Sequence, residues 1–288
     1  DAAIEAFAEK IPGNGKDAFA KQLLKGDAKL GAVEYEAASE NFFRPTSLAE
    51  LLRLLKEVPD ARMIAGATEL GLDITKRYKK FPALIAVEAL PELKEIKKSD
   101  SEWRIGAAAT LTEIEETVAT EFPALGDMLR VFGSRQIRNR ATMGGNIVTA
   151  SPIGDCAPVM LALDTKVIIA SLQGERTVPI DQFFVSYRKT ALQPGEVLQN
   201  IIVPRGVPQK GFTRKCEWFK VSKRREMDIS TVAGCFMVDL DGGKIVRSVR
   251  LAYGGVAAMP SRAKKTEAAL FGKVWGEETI ESVLPNLR

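Results

Sequence analysis

Two glycine-bearing stretches hold the residues best suited to chemistry. In the first, Met63-Ile64-Ala65-Gly66-Ala67-Thr68-Glu69-Leu70-Gly71, a glycine follows a short apolar run and precedes a helical pattern. Glycine there lets the backbone approach a ligand closely, and the start of the helix offers N–H groups to an anion. Thr68 either hydrogen-bonds that anion or simply caps the helix. The stretch is neither G-x-G-x-x-G nor a Walker loop. The second runs Ala141-Thr142-Met143-Gly144-Gly145-Asn146-Ile147-Val148-Thr149-Ala150-Ser151-Pro152-Ile153-Gly154-Asp155. Read as a loop, its adjacent glycines and small polar side chains form an array of donors suited to a diphosphate, with Asp155 placed to accept from a ligand N–H or hydroxyl. A long structural loop is the alternative, although a loop of that length inside a compact domain is uncommon without a function.

A cationic run, Lys220, Lys223, Arg224 and Arg225, follows Trp218-Phe219, and Arg135, Arg138 and Arg140 precede the second stretch. The run is either a surface turn or a cation reaching the ligand; the arginines either pair with acids or attract a phosphorylated substrate. The composition excludes much else. There is no histidine among 288 residues, hence no Ser-His-Asp or Cys-His catalysis, no imidazole-ligated metal and no histidyl-linked flavin. Cys156, Cys216 and Cys235 are far apart, too few for an iron–sulfur or zinc site and read as reduced thiols. The 41 basic and 37 acidic residues leave a net charge of +4, too mild and scattered for nucleic acid. No apolar run reaches the roughly 18 residues of a membrane span, and no signal pattern opens the chain, so a cytoplasmic location is expected.

The elements that must position these stretches follow from patterning. Ser47 and Glu50 make a capping box for a helix over Ser47–Glu57, its apolar face Leu48, Leu51, Leu52 and Leu55, stopped by Pro59. Arg62–Ala65 reads as a buried strand, Glu69–Arg77 as a helix and Ala83–Val87 as a strand. Leu93–Ile96 and Trp103–Ala107 read as paired strands, then Leu111–Thr120 and Pro123–Val131 as helices. Val167–Ser171 and Arg176–Val178 make a hairpin, and Val197–Val203 a strand. Past a break at 205–211 come strands at Thr213–Val221, Val232–Asp239 and Val246–Tyr253, then helices at Ala263–Leu270 and Glu277–Val283. Residues 1–41, with short helices at Asp1–Lys10 and Asp17–Leu24, read as a connector, 42–205 as a larger α+β domain and 212–288 as a smaller antiparallel one. Strands and helices alternate too irregularly for a simple Rossmann sheet. Two nucleotide-style stretches without that sheet, without histidine and without a catalytic dyad point to a bound dinucleotide, FAD in another fold in preference to NAD in the usual one. The cofactor then carries the chemistry, and no catalytic side chain and no metal ligand set are expected.

Ala65–Gly71, Gln136–Ile147 and Ala150–Asp155 closely resemble the FAD-binding domain of xanthine dehydrogenases, of the molybdenum hydroxylase family. Phe184–Thr190, Glu196–Leu198 and Phe219-Lys220 through Arg224-Arg225-Glu226 match its later signatures, so the resemblance runs from about Phe42 to Arg288. It implies an α+β fold: a two-part FAD-binding domain of the vanillyl-alcohol oxidase/p-cresol methylhydroxylase type, then a small antiparallel α+β C-terminal domain that stops short. It implies noncovalent FAD, NAD as electron acceptor, and [2Fe–2S] clusters and molybdopterin on partner domains or subunits that oxidise hypoxanthine and xanthine. Met63 to Leu70 would surround the FAD diphosphate, and Phe132 would lie against the isoalloxazine ring. Thr142, Met143, Gly144, Gly145 and Asn146 would complete the phosphate and ribityl contacts. Asp155 would anchor a polar group, Leu198 would pack on the adenine side, and Lys220 would reach the flavin from the smaller domain. The sequence departs from the family in two places: the cysteine-rich iron–sulfur domain is absent, and Met227 stands where some relatives carry an acid. A flavin subunit of an aldehyde or other molybdenum hydroxylase that uses oxygen or quinone, and a flavin-free assembly module, are the alternatives.

Overall fold

The computed structural model describes residues 30–37, 40–206 and 210–287; the helices expected at Asp1–Lys10 and Asp17–Leu24 lie outside them. The unit from Ala32 onward opens with a small mixed sheet of β1 (Val33–Ala37), β2 (Glu40–Arg44), β3 (Arg62–Ile64) and β4 (Ala83–Ala86), in the order β1-β2-β4-β3. Both β2 and β3 run parallel to β4, which requires crossovers. These are α1 (Leu48–Glu57) and α2 (Leu70–Thr75). Ser47 caps α1 by accepting from the Glu50 N–H at 3.3 Å, but the Glu50 carboxylate accepts from the Thr46 N–H, at 2.9 Å, one residue earlier than a capping box requires. Leu51, Leu52 and Leu54 of α1 bury against Ile85 and Val87. The strand β1 falls within the stretch expected to be a connector, and its pairing with β2 makes it part of the sheet.

After α3 (Pro91–Lys94) come β5 (Ile96–Lys98), β6 (Glu102–Gly106), α4 (Leu111–Thr117), α5 (Pro123–Arg130) and α6 (Arg135–Arg138). Then follow α7 (Met143–Thr149), α8 (Cys156–Ala162), β7 (Lys166–Ser171) and β8 (Gly174–Pro179). The next elements are α9 (Ile180–Phe183), the hairpin β9 (Phe184–Ser186) with β10 (Lys189–Thr190), and β11 (Val197–Pro204). The central antiparallel sheet has the order β5-β6-β11-β7-β8. Its middle strand β11 is buried over Val197–Val203, on both faces and with the polar Gln199 and Asn200 included, so burial along it is continuous rather than alternating. Two readings need correction. Leu93 is no strand residue: Pro91, with its fixed φ, opens the helical turn α3, and the strand starts only at Ile96. The glycine-rich stretch is not a loop either. Thr142 accepts from the Gly145 N–H at 3.0 Å and starts α7, and left-handed Ala150, φ 47°, ends it. Gly144 is required there because a Cβ would lie 2.5 Å from Ala107.

The C-terminal antiparallel sheet has the order β12 (Thr213–Val221), β13 (Val232–Leu240), β14 (Val246–Gly254) and β15 (Ser261–Arg262). Its outer face is covered by α10 (Lys264–Leu270) and α11 (Glu277–Val283), around Val238, Val249, Leu251 and Leu270. Its inner face, Cys235, Met237 and Ala252, belongs to the same core as Met143, Val159, Met160 and Ile201. The fully buried α8 is the shared element between the two sheets, so the break at 205–211 interrupts the chain but not the core.

Candidate functional site

The first stretch forms a tight strand-to-helix turn. Gly66 passes so close to the start of the second stretch that a Cβ on it would lie 1.7 Å from the carbonyl oxygen of Arg140. The next residue, Ala67, is left-handed with φ 61°. Beyond it the backbone N–H groups of Ala67, Thr68, Glu69 and Leu70 find no backbone acceptor among the described residues. A left-handed residue followed by consecutive free N–H groups is an anion-binding concavity. Thr68 does not cap α2: the N-cap position is Glu69, with no side-chain bond, and the Thr68 hydroxyl has no partner among the described residues. Glu69 is held from across the chain by Arg188 at 3.0 Å, which ties the β9–β10 hairpin to this turn. That pairing raises the Arg188 guanidinium above its usual value, through the hydrogen bond to Glu69 first.

The second stretch behaves differently from its loop reading. The N–H groups of Met143 and Gly144 donate to the carbonyls of Ala109 and Ala107, and that of Asn146 to Thr142. With Gly145 on the Thr142 hydroxyl, the N–H groups of Met143 to Asn146 are all engaged, whereas those of Thr142, Ser151, Ile153 and Asp155 find no backbone acceptor among the described residues. Met143 and Gly144 are buried by protein, as is Leu198, 3% exposed within the main core. Gly145 is exposed, and the buried amide oxygen of Asn146 has no hydrogen-bond partner.

A third group completes the arrangement. Lys220 and Asp155, 65 residues apart, form a buried ion pair at 3.0 Å, their side chains 6% and 9% exposed. Ser230, which sequence reasoning missed, donates its hydroxyl to the other Asp155 oxygen. Lys220 also lines a cavity of about 500 Å³ between α5 and the turn after β12, with Asp127, Arg130, Val131, Trp218 and residues 222–226 around it. Phe132, next to Val131, is half-buried, and Arg138 fixes its carbonyl at 3.1 Å. The arginines read as a possible phosphate attractor are paired: Arg138 with Glu115 at 3.1 Å, Arg135 with Glu116, and Arg140 with Glu88 at 3.6 Å. In the cationic run, Arg224 pairs with Asp228 at 3.6 Å.

The thiols are free. Burial pushes Cys156 far above the usual thiol value. Cys216 and Cys235 lie 4.0 Å apart on neighbouring strands, and their contact lowers Cys216 while raising Cys235. Among the described residues no cluster could hold a metal ion, and no helix is long and apolar enough to cross a membrane.

The residues fit a flavin dinucleotide. Free N–H groups at a close backbone turn suit its diphosphate, an orphaned buried amide suits a hydroxyl-rich chain, and a buried ammonium suits an electron-rich ring. Fold and site together define a flavin-dependent oxidoreductase component. Residues 35–206 match the family described as the FAD binding domain in molybdopterin dehydrogenase, and residues 217–288 the CO dehydrogenase flavoprotein C-terminal domain. The chain belongs to this family of FAD-binding modules of molybdenum hydroxylases. It is 36% identical over 253 residues to xanthine dehydrogenase/oxidase of Gallus gallus, covering 83% of this chain and 18% of that protein. To xanthine dehydrogenase of Dictyostelium discoideum it is 33% identical over 294 residues, covering 90% and 21%. The chain thus spans about a fifth of the length of these relatives. Among solved structures it is similar to carbon monoxide dehydrogenase from Hydrogenophaga pseudoflava, with a TM-score of 0.79, 27% identity and coverage of 88% and 87%. It also resembles quinoline 2-oxidoreductase from Pseudomonas putida 86, with a TM-score of 0.76, 27% identity and coverage of 88% and 86%. These match the expected α+β fold of an FAD-binding region followed by an antiparallel C-terminal domain.

Proposed function

We propose that this chain is the electron-transfer module of a xanthine dehydrogenase. It would receive electrons from [2Fe–2S] clusters, with molybdopterin on a partner domain or subunit performing the purine oxidation, and would pass them to NAD. When bound, FAD supplies the conversion between one-electron delivery and two-electron release. In this reading the N–H groups of Ala67 to Leu70 and the Thr68 hydroxyl bind the diphosphate. Asn146 takes the ribityl chain and Phe132 flanks the ring. Lys220, neutralised by Asp155, offers N–H donors to the ring without adding net charge. None of these residues needs to exchange a proton, which agrees with a chain free of histidine.

The observation that carries the reading is the set of free N–H groups at the Gly66 turn. The protein, purified in its natural assembly, should be yellow and should release FAD into the supernatant on acid precipitation. Colour that stays with the precipitate, or a colourless protein that takes up no added FAD, would refute it. The likeness to carbon monoxide dehydrogenase and quinoline 2-oxidoreductase structures favours a second reading, a hydroxylase with another substrate and oxygen or quinone as acceptor. Turnover with purine and NAD separates the two, since the second reading gives none.

A further inference from the structure

Asp155 stands at the N-cap of α8 yet makes no capping bond. The third residue of that helix is Pro158, which has no N–H, so one of the two usual partners of an N-cap carboxylate is missing. Its oxygens turn outward: Oδ2 accepts from Lys220 at 3.0 Å and Oδ1 from the Ser230 hydroxyl. Ser230 is 3% exposed, and its hydroxyl has no other partner among the described residues. Lys220 and Ser230 lie on the two stems of the turn that joins β12 to β13, which the Thr231 N–H closes onto the Val221 carbonyl at 2.8 Å. Between the stems, Asp228 accepts from the N–H groups of Arg224 and Ile229. One carboxylate from the second glycine-bearing stretch therefore holds both stems of the turn that lines the cavity.

We propose that Ser230 is a positioning residue for the flavin site: by holding one oxygen of Asp155 it fixes the other against Lys220, and so directs the ammonium's remaining N–H groups into the cavity. An ammonium has three donors, and Lys220 uses one on Asp155. Without Ser230, the carboxylate turns both oxygens toward Lys220 and draws its donors away from the ring. Ser230 touches no ligand and acts only through Asp155. The inference rests on the reading that FAD occupies this site.

The test compares Ser230→Ala and Ser230→Thr with wild type, using the full chain in its natural assembly. The readouts are FAD affinity, from quenching of flavin fluorescence, and the midpoint potential of the bound flavin. Ser230→Ala should weaken FAD binding about tenfold, the scale of one hydrogen bond to a charged group. It should also move the potential negative, because reduced flavin loses a donor. Ser230→Thr keeps the hydroxyl and should keep both wild-type values. If Ser230→Ala fails to accumulate, Ser230→Cys, similar in size with a much weaker donor, gives the same comparison. Wild-type affinity and potential in the Ala or Cys variant overturn the inference, as does a folded Thr variant that behaves like Ala. A wild-type protein that takes up no FAD overturns the site reading itself, a separate outcome.

Discussion

Replacing Gly66 by alanine is a sharp perturbation because everything it meets is backbone. The new Cβ would lie 1.7 Å from the Arg140 carbonyl oxygen, 2.5 Å from its carbon and 3.0 Å from the Ala141 Cα. Ordinary contact begins near 3.4 Å, so the two chain segments must part by well over 1 Å. Overpacking of this kind costs about 1–3 kcal/mol of stability. The larger effect falls on the ligand, since the free N–H groups of Ala67 to Leu70 ride on the displaced turn. Losing two hydrogen bonds to a charged phosphate, at about 1.5–3 kcal/mol each, comes to about 3–6 kcal/mol, or roughly 10²–10⁴ in affinity. Gly126→Ala is the control. In α5 a Cβ there would sit 3.5 Å from the Ala119 Cβ, ordinary contact, and alanine in a helix should add about 0.5–1 kcal/mol. The assay is the flavin-to-protein ratio after purification, followed by titration of apo-protein with FAD. Gly66→Ala should be colourless and need far more FAD, while Gly126→Ala should match wild type. A Gly66→Ala protein with wild-type affinity would refute the placement of the diphosphate at this turn.

Other outcomes follow from the same structure. Lys220→Met leaves Asp155 buried with one partner. Breaking such a pair costs about 3–5 kcal/mol, so thermal melting should fall by roughly 6–20 °C; Lys220→Met combined with Asp155→Leu should recover part of that loss. Glu121 is held down to about 2 from its usual 4.5, first by Lys98, then by Arg205, with Trp103 also donating. A depressed carboxyl contributes stability above its unfolded value and loses it as pH falls through its folded one. Glu121→Gln should therefore weaken urea resistance above pH 4.5 and match wild type near pH 2, the two curves converging in between. Thr110 and Glu113 form a reciprocal capping box on α4; Thr110→Ala should cost about 1 kcal/mol in denaturant unfolding.

Much of the fold was legible where one local signal dominates. The strands at Thr213–Val221, Val232–Leu240 and Val246–Gly254 show β-rich runs, the last two separated by the turn Asp241-Gly242-Gly243, and α1 shows its Ser47 cap. Where two signals compete, local reading failed. Gly144-Gly145 argued for a loop, yet Thr142 is a good N-cap, and packing of Gly144 on Ala107 decided for a helix. Pro91 was the overlooked start signal for α3. The glycine turn at Gly66 was legible as a site for close approach, but its neighbour, the Arg140 carbonyl, lies 74 residues away in sequence and only the fold supplies it. The same is true of Asp155 with Lys220 and Ser230, and of Arg138 with Glu115. Pairings across a chain leave no periodic trace. They are decided by which strands and helices become neighbours, so charges that look available in sequence can be neutralised in space.

The central claim is that the Gly66 turn holds a dinucleotide by its diphosphate, without a covalent bond. Competitive titration of the apo-protein with FAD, FMN and riboflavin tests it most directly. The account predicts FAD binding tighter than riboflavin by at least about 100-fold, on the order of 3 kcal/mol, with FMN between them and with the FAD preference lost in Gly66→Ala. Equal affinity for FAD and riboflavin in the wild-type protein would contradict it.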